Sequence, residues 1–224
     1  MRNFMYAVIA LCGLLVFASY AQAADPVASA VQKRYESIKG MRAEFTQLLE
    51  HQESGSKEER KGVLYFAKPL QVRWETTSPI PEVLLVTPGA IWNVFPDEDM
   101  AYKYPPELSD ESGSIVRVVT GQSNLEKDFT IENKGTKNGL ATLTLYPKNP
   151  TTSMTEAELT VEAKTGAIKH VTIVDFYNNR NSITFTSQTL DPRLDAALFT
   201  FAPAKGMKVE DRTKSGVMSK PLMQ

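Results

Sequence analysis

The chain has 224 residues, with 25 Lys and Arg against 26 Asp and Glu, and its net charge is −1. This balance gives no electrostatic reason to expect nucleic acid or an anionic membrane surface as a partner, so we predict no nucleic-acid binding. The length suits one globular domain after removal of a short leader, and no internal repeat is visible.

The N-terminus has the features of an export signal. Arg2 is followed by an almost unbroken apolar run over 4–17, and Ala21-Gln22-Ala23 supplies the small-x-small pattern of a cleavage site. The run is shorter than the roughly 18 to 20 residues that span a bilayer, which disfavours a membrane anchor. We therefore predict a cleaved signal peptide over 1–23 and a single periplasmic domain over 24–224.

The single cysteine, Cys12, lies inside this signal and follows Leu11, where lipidation requires a small residue. The mature domain is therefore predicted to have no disulfide and no lipid anchor of its own. Because Arg2 is the only charged residue of the signal, the mature net charge is −2.

The first element of the mature chain is a predicted helix. Asp25 is placed as its N-cap and Pro26 as its first helical residue, and Gly40 marks its end. One face of this helix is apolar and carries Val27, Val31, Tyr35 and Ile38.

From Met41 onward the apolar residues alternate with polar ones, which predicts strands. Turn signals such as Asn138-Gly139, Thr165-Gly166 and Asn178-Asn179 separate them and indicate hairpins. Residues 58–61, all charged, are interpreted as a loop. The predicted strands begin at Met41, Gly62, Gln71, Glu82, Ile91, Met100, Phe129, Leu140, Glu156, Ala167 and Ser182.

Residues 105–127 interrupt the strand pattern and are predicted to form one or two short helices. An antiparallel meander of this length must curl, and one of its faces must be covered. The predicted fold is α+β: a strongly curved antiparallel sheet, or incomplete β-barrel, with a lid of short helices on its concave side.

Candidate catalytic groups are few. His51 follows a strand end and His170 lies within a strand, and neither has Asp or Cys at the spacing of a metal site. The acidic turn 97–99 lacks the spaced ligands of a calcium loop. No nucleophile elbow or phosphate loop is present, so we predict no enzymatic activity, no metal and no cofactor.

Large apolar side chains are abundant on the strands instead. They form either an ordinary core or the lining of a cavity, and alternation alone does not distinguish a filled barrel from a hollow one. These residues are Phe45, Phe66, Trp74, Trp92, Phe95, Tyr102, Tyr104, Phe176 and Phe185.

The order of short motifs along the chain resembles that of the LolA family of periplasmic lipoprotein carriers. The resemblance spans nearly the whole mature chain. It is carried by Phe45-Thr46-Gln47, Gly62 to Trp74 with Lys68-Pro69 and Arg73-Trp74-Glu75, Ile80 to Gly89, Ile91-Trp92, Pro96, Asn178-Asn179-Arg180, Phe199 to Pro203 and Gly206 to Val209.

The resemblance implies an apolar cavity for acyl chains beneath a helical lid, with Ile115, Val116, Val118 and Val119 in that lid. Lys68 takes the place of an arginine that latches the lid in the family, which keeps a cation but loses the planar fork. The implied cavity residues are Phe45, Leu64, Phe66, Val72, Trp74, Trp92, Ile115, Val116 and Val119.

Two further departures from the family pattern concern local details. The turn before Trp92 is one residue shorter, which leaves its register open, and Arg117 makes the lid segment more polar, which allows a different cargo.

The resemblance also implies the partners of the protein. These are lipoprotein acyl chains, an inner-membrane lipoprotein-releasing transporter and an outer-membrane lipoprotein acceptor. The carrier itself is expected to be a monomer. An alternative stays open, in which the half-barrel is a sensor or scaffold domain that binds a protein or another lipid. A periplasmic hydrolase is disfavoured because a nucleophile and a base are missing.

Overall fold

A computed structural model describes residues 25–110, 117 and 120–214, and the predicted signal peptide lies outside these residues. Helix α1 spans Pro26–Ser37, and a short helix α2 spans Leu125–Asp128. Single turns of 3-10 helix span Pro96–Glu98, Pro106–Asp110 and Ala196–Phe199. In the described part of the chain, no helix is both long enough and apolar enough to cross a membrane.

The strands form one sheet. Their bounds are β1 Gly40–Glu50, β2 Lys57–Ala67, β3 Gln71–Ser78, β4 Glu82–Val86, β5 Ile91–Phe95, β6 Met100–Tyr104, β7 Phe129–Lys137, β8 Leu140–Pro147, β9 Glu156–Glu162, β10 Ile168–Val174, β11 Arg180–Leu190 and β12 Lys208–Asp211. The strand order is β12-β6-β5-β4-β3-β2-β1-β11-β10-β9-β8-β7. The sheet is curved and unclosed, which confirms the predicted incomplete barrel.

One local prediction is wrong. Residues 58–61 belong to strand β2, where they pair with the far half of β1, because charged side chains are tolerated at the solvated end of a long hairpin. The short edge strand β12, for which the sequence predicted no strand, pairs with β6 in parallel.

Helix α1 begins where the sequence predicts. The Asp25 carboxylate accepts hydrogen bonds from the backbone N–H groups of Val27 and Ala28, both at 2.9 Å, and Pro26 occupies the first turn. The buried face of α1 carries Val27, Ala28, Val31 and Tyr35 and belongs to the main core of the sheet. We call the sheet face beneath α1 the inner face.

The opposite, outer face is covered over β3–β6 by the segment 191–207, which leads from β11 to the distant edge strand β12. The 3-10 turn of this segment lies against β3, and Phe201 contacts the ring of Trp92, with centroids 5.0 Å apart. Leu85, Val94, Ala101 and Phe199 are buried there, separately from the main core. Strands β4–β6 are therefore apolar on both faces.

Candidate ligand-binding site

Cross-strand pairs place the inner-face side chains in rows that run across β1–β6. The first row contains Met41, Phe66, Val72, Val86, Ile91 and Tyr104. The second contains Ala43, Leu64, Trp74, Leu84, Asn93 and Tyr102. Every member of these rows except Asn93 and Tyr102 is at most 4 % exposed. The inner face is therefore an apolar surface with one amide in its second row.

An aromatic pair occupies the centre of this surface. The Phe45 ring lies 4.4 Å from the Trp74 ring between centroids, with a tilt of 42°. Phe45 pairs with Gly62 across the strands, and a Cβ atom at Gly62 would lie 2.7 Å from Phe45 Cζ and would overlap the carbonyl of Glu75. The absence of a side chain at Gly62 therefore lets the Phe45 ring reach Trp74.

The inner face becomes polar toward the end that lies away from α1. There, a shallow pocket of about 10 Å³, roughly the room for one water molecule, is lined by Gln47, Arg60, Trp74, Thr76, Glu82 and Leu84. The Arg60 guanidinium bonds the Glu58 carboxylate at 2.7 Å and the Glu82 carboxylate at 3.4 Å. Buried Gln47 donates to the Asn181 side chain at 2.9 Å. Polar side chains thus border an apolar floor.

Polar contacts fix α1 over the apolar end of the inner face. The buried Tyr35 hydroxyl accepts a hydrogen bond from the Ile168 N–H at 3.2 Å. Burial raises the pKa of Tyr35 against the smaller opposing effect of this bond, so the phenol is neutral. Gln32 accepts from the Leu125 N–H at 2.9 Å, which ties α1 to α2.

Lys68, on the turn between β2 and β3, also bonds α1. Its ammonium donates to the backbone carbonyls of Tyr35 at 3.2 Å and Glu36 at 2.5 Å. These carbonyls belong to the last turn of α1, where intrahelical partners are lacking and the helix dipole favours a cation. Lys68 therefore bonds the end of α1, and its role as a latch of the lid segment stays a prediction.

The structure brings five of the predicted cavity residues together on the inner face: Phe45, Leu64, Phe66, Val72 and Trp74. It places Trp92 on the outer face, because Trp92 pairs with Leu85 and Lys103, one residue out of step with Ile91 and Asn93. Ile115, Val116, Val118 and Val119 lie outside the described residues. The prediction for Trp92 is therefore wrong.

Sequence reasoning missed several inner-face residues: Leu84, Val86, Ile91 and Asn93. Alternation within segments 82–86 and 91–95 contains the signal for them. The alternation does not reveal which face is the inner one, because both faces of β4 and β5 are buried and neither is polar in sequence.

Among residues 25–110, 117 and 120–214, no group of three or more His, Cys, Asp and Glu side chains could hold a metal ion. His170 bonds the hydroxyls of Thr184 at 2.8 Å and Thr172 at 3.0 Å within the sheet. The arrangement is suited to enclosing an apolar group beneath α1.

An open, curved sheet with an apolar inner face beneath a helix defines the half-barrel class of proteins. Within that class, the family model described as outer membrane lipoprotein carrier protein LolA matches residues 36–202, and the chain belongs to this family. The resemblance noted in the sequence is thus confirmed.

Curated relatives agree with this assignment, and one solved structure shares the fold. An outer-membrane lipoprotein carrier protein from Methylococcus capsulatus is 26% identical over 201 residues, covering 89% of this chain and 95% of the relative. One from Cupriavidus necator is 29% identical over 216 residues, covering 93% and 99%. The fold is similar to that of an uncharacterized conserved protein from Thermus thermophilus, with a TM-score of 0.54, 13% identity, and coverage of 83% and 97%.

Proposed function

We propose that this protein is a periplasmic chaperone that binds the acyl chains of lipoproteins on the inner face. It receives them from a lipoprotein-releasing transporter at the inner membrane and passes them to an acceptor at the outer membrane. Family membership and the names of the relatives support the carrier role. The observation that carries the assignment of the site is the apolar surface formed by the first and second rows beneath α1.

The energetics of acyl chains explain why such a surface is needed. Each CH₂ group that leaves a membrane for water costs about 0.8 kcal/mol, so three exposed acyl chains would cost tens of kcal/mol. A soluble carrier must cover most of that surface during transfer. The carrier must also bind less tightly than the acceptor, so that delivery proceeds down a gradient of affinity without hydrolysis.

Uptake requires α1 to move. Leu64, Phe66 and Val72 are 0% exposed, and they share one core with Val31 and Tyr35 of α1. Acyl chains reach the inner face only when α1 shifts away from it, so binding selects an open state of the protein. The polar contacts of α1 with Lys68, Ile168 and Leu125 then set the free energy of opening.

Tryptophan fluorescence tests this site because the two tryptophans of the chain lie on opposite faces. In Trp92→Phe protein, Trp74 reports alone, and adding a fatty-acyl probe should change its emission. The matched control is Trp74→Phe, in which Trp92 reports from the outer face and should respond weakly. An equal response of the two variants, or none in either, would contradict binding on the inner face.

Cargo and compartment are tested on protein purified gently from the periplasmic fraction. We expect N-terminal sequencing to begin at Ala24 and mass spectrometry to detect co-purified lipoprotein. Retention of an acylated Cys12 would contradict the soluble carrier. A stable complex with a membrane-anchored regulator, with no bound acyl chain, would favour the alternative sensor or scaffold role.

A further inference from the structure

Asn93 is an anomaly on the inner face. It stands in the second row between Leu84 and Tyr102, on a strand whose neighbouring inward residue, Ile91, is completely buried. The side-chain oxygen Oδ1 of Asn93 is buried and has no hydrogen-bond partner among the described residues. An unpaired buried amide oxygen destabilises a fold, and an apolar residue would complete the row. The position therefore suggests a bond that forms only with a ligand.

The surroundings of Asn93 define what that ligand group must be. Leu84 pairs with Asn93 and also lines the polar pocket, so a molecule lying on Leu84 and Trp74 would reach both. The charge of Arg60 is compensated by Glu58 and Glu82, which disfavours an anionic group such as a free carboxylate or phosphate. Oxygen Oδ1 accepts hydrogen bonds, so its complement is a neutral donor, either an N–H or an O–H group.

We propose that Asn93 is a specificity-determining residue that accepts a hydrogen bond from the amide N–H linking an acyl chain to the N-terminal residue of the cargo. This inference rests on the proposed carrier function and adds the recognition of an acyl amide to it. The chains lie on the apolar rows, and their polar linkage lies where the inner face becomes polar. Acyl esters have no N–H group and leave Asn93 unpaired.

The test compares two synthetic probes, a triacylated lipopeptide and the same lipopeptide methylated at the acyl amide nitrogen. Wild-type protein should prefer the unmethylated probe by roughly tenfold, the effect of about one buried hydrogen bond. In Asn93→Leu protein this preference should fall to about onefold, with the methylated probe bound at least as tightly as by wild type.

Asn133→Leu is a matched control, because the Asn133 side chain is already bonded to Asp25 at 2.8 Å, on edge strand β7. It should lose stability and keep the preference for the unmethylated probe. Without ligand, Asn93→Leu should unfold at a temperature no lower than wild type, since it removes an unpaired buried oxygen.

The outcomes separate the inference from the function on which it rests. If wild-type protein binds neither probe, the carrier function fails. If it binds both probes equally, or if Asn93→Leu keeps the preference, the role of Asn93 is overturned while the carrier function stands. A lower unfolding temperature of Asn93→Leu without ligand would also overturn the inference, because Asn93 would then be a structural residue.

Discussion

Lys68 should control how readily α1 leaves the inner face. Its ammonium bonds the carbonyls of Tyr35 and Glu36 in the last turn of α1, at 3.2 Å and 2.5 Å. Replacement by Met keeps an apolar stem and removes the charge and both hydrogen bonds. Because Lys68 is exposed, solvent screens this contact, and we expect the loss to be about 1 kcal/mol. That loss corresponds to roughly a fivefold increase in the opening of α1.

Hydrogen exchange measures this opening directly. The α1 amides of Lys68→Met should exchange about fivefold faster than in wild type, while those of β1 and β11 keep their rates. Lys68→Arg should slow the exchange, because a guanidinium can bond both carbonyls with a planar fork. The control is Lys33→Met, which removes an exposed α1 lysine whose side chain makes no hydrogen bond or ion pair among the described residues. Equal α1 exchange in all three variants and wild type would refute the latch.

Two Lys68 variants should change cargo handling in opposite directions. Lys68→Arg favours the closed state and should weaken uptake of a lipopeptide. Lys68→Leu favours the open state and should slow release to an acceptor. Loading and release rates equal to those of wild type in both variants would mean that Lys68 is a solvated turn residue.

Four further substitutions have defined outcomes. Gly62→Ala should destabilise the protein by about 1–3 kcal/mol in urea unfolding, because its Cβ meets Phe45 and the Glu75 carbonyl. Gly89→Ala, with open space around it, should change stability by less than about 0.5 kcal/mol, and equal effects would contradict this packing. Asp25→Ala should remove about 1 kcal/mol, measured in the same assay, by uncapping α1. Burial lowers the pKa of His170 against a smaller opposing effect of Glu158, so the folded state favours the neutral ring. The stability of wild type should therefore fall as pH drops below about 6.5, and His170→Gln should reduce that fall in thermal unfolding scans.

Asp25 also has a pH signature. Burial works to raise the pKa of its carboxyl, but the hydrogen bonds from Ala28, Asn133 and Val27 outweigh burial and lower it. A carboxyl whose pKa is lower in the folded state than in the unfolded chain stabilises the protein at pH values above its unfolded pKa of about 3.8. That contribution is lost as pH falls through the folded pKa, and Asp25→Ala should abolish this acid-dependent part of the unfolding curve.

Local sequence patterns were sufficient for most of the elements. Asp25-Pro26 predicts the start of α1 because capping depends on adjacent residues alone. Asn138-Gly139 predicts the β7–β8 hairpin for a similar reason, and both residues have positive φ in the structure. The order of the predicted elements along the chain, together with the alternation of apolar and polar residues, was enough to predict a curved sheet under a helix.

Only tertiary structure decided which side chains share the site. Trp92 and Asn93 are neighbours on a strand that buries apolar residues on both faces, and the outer face is defined only by the segment 191–207 that covers it. The partner of Lys68 is likewise more than thirty residues away, in α1. The alternation of a strand assigns its residues to two opposite faces. Only the packing of distant segments decides which of these faces is the inner one.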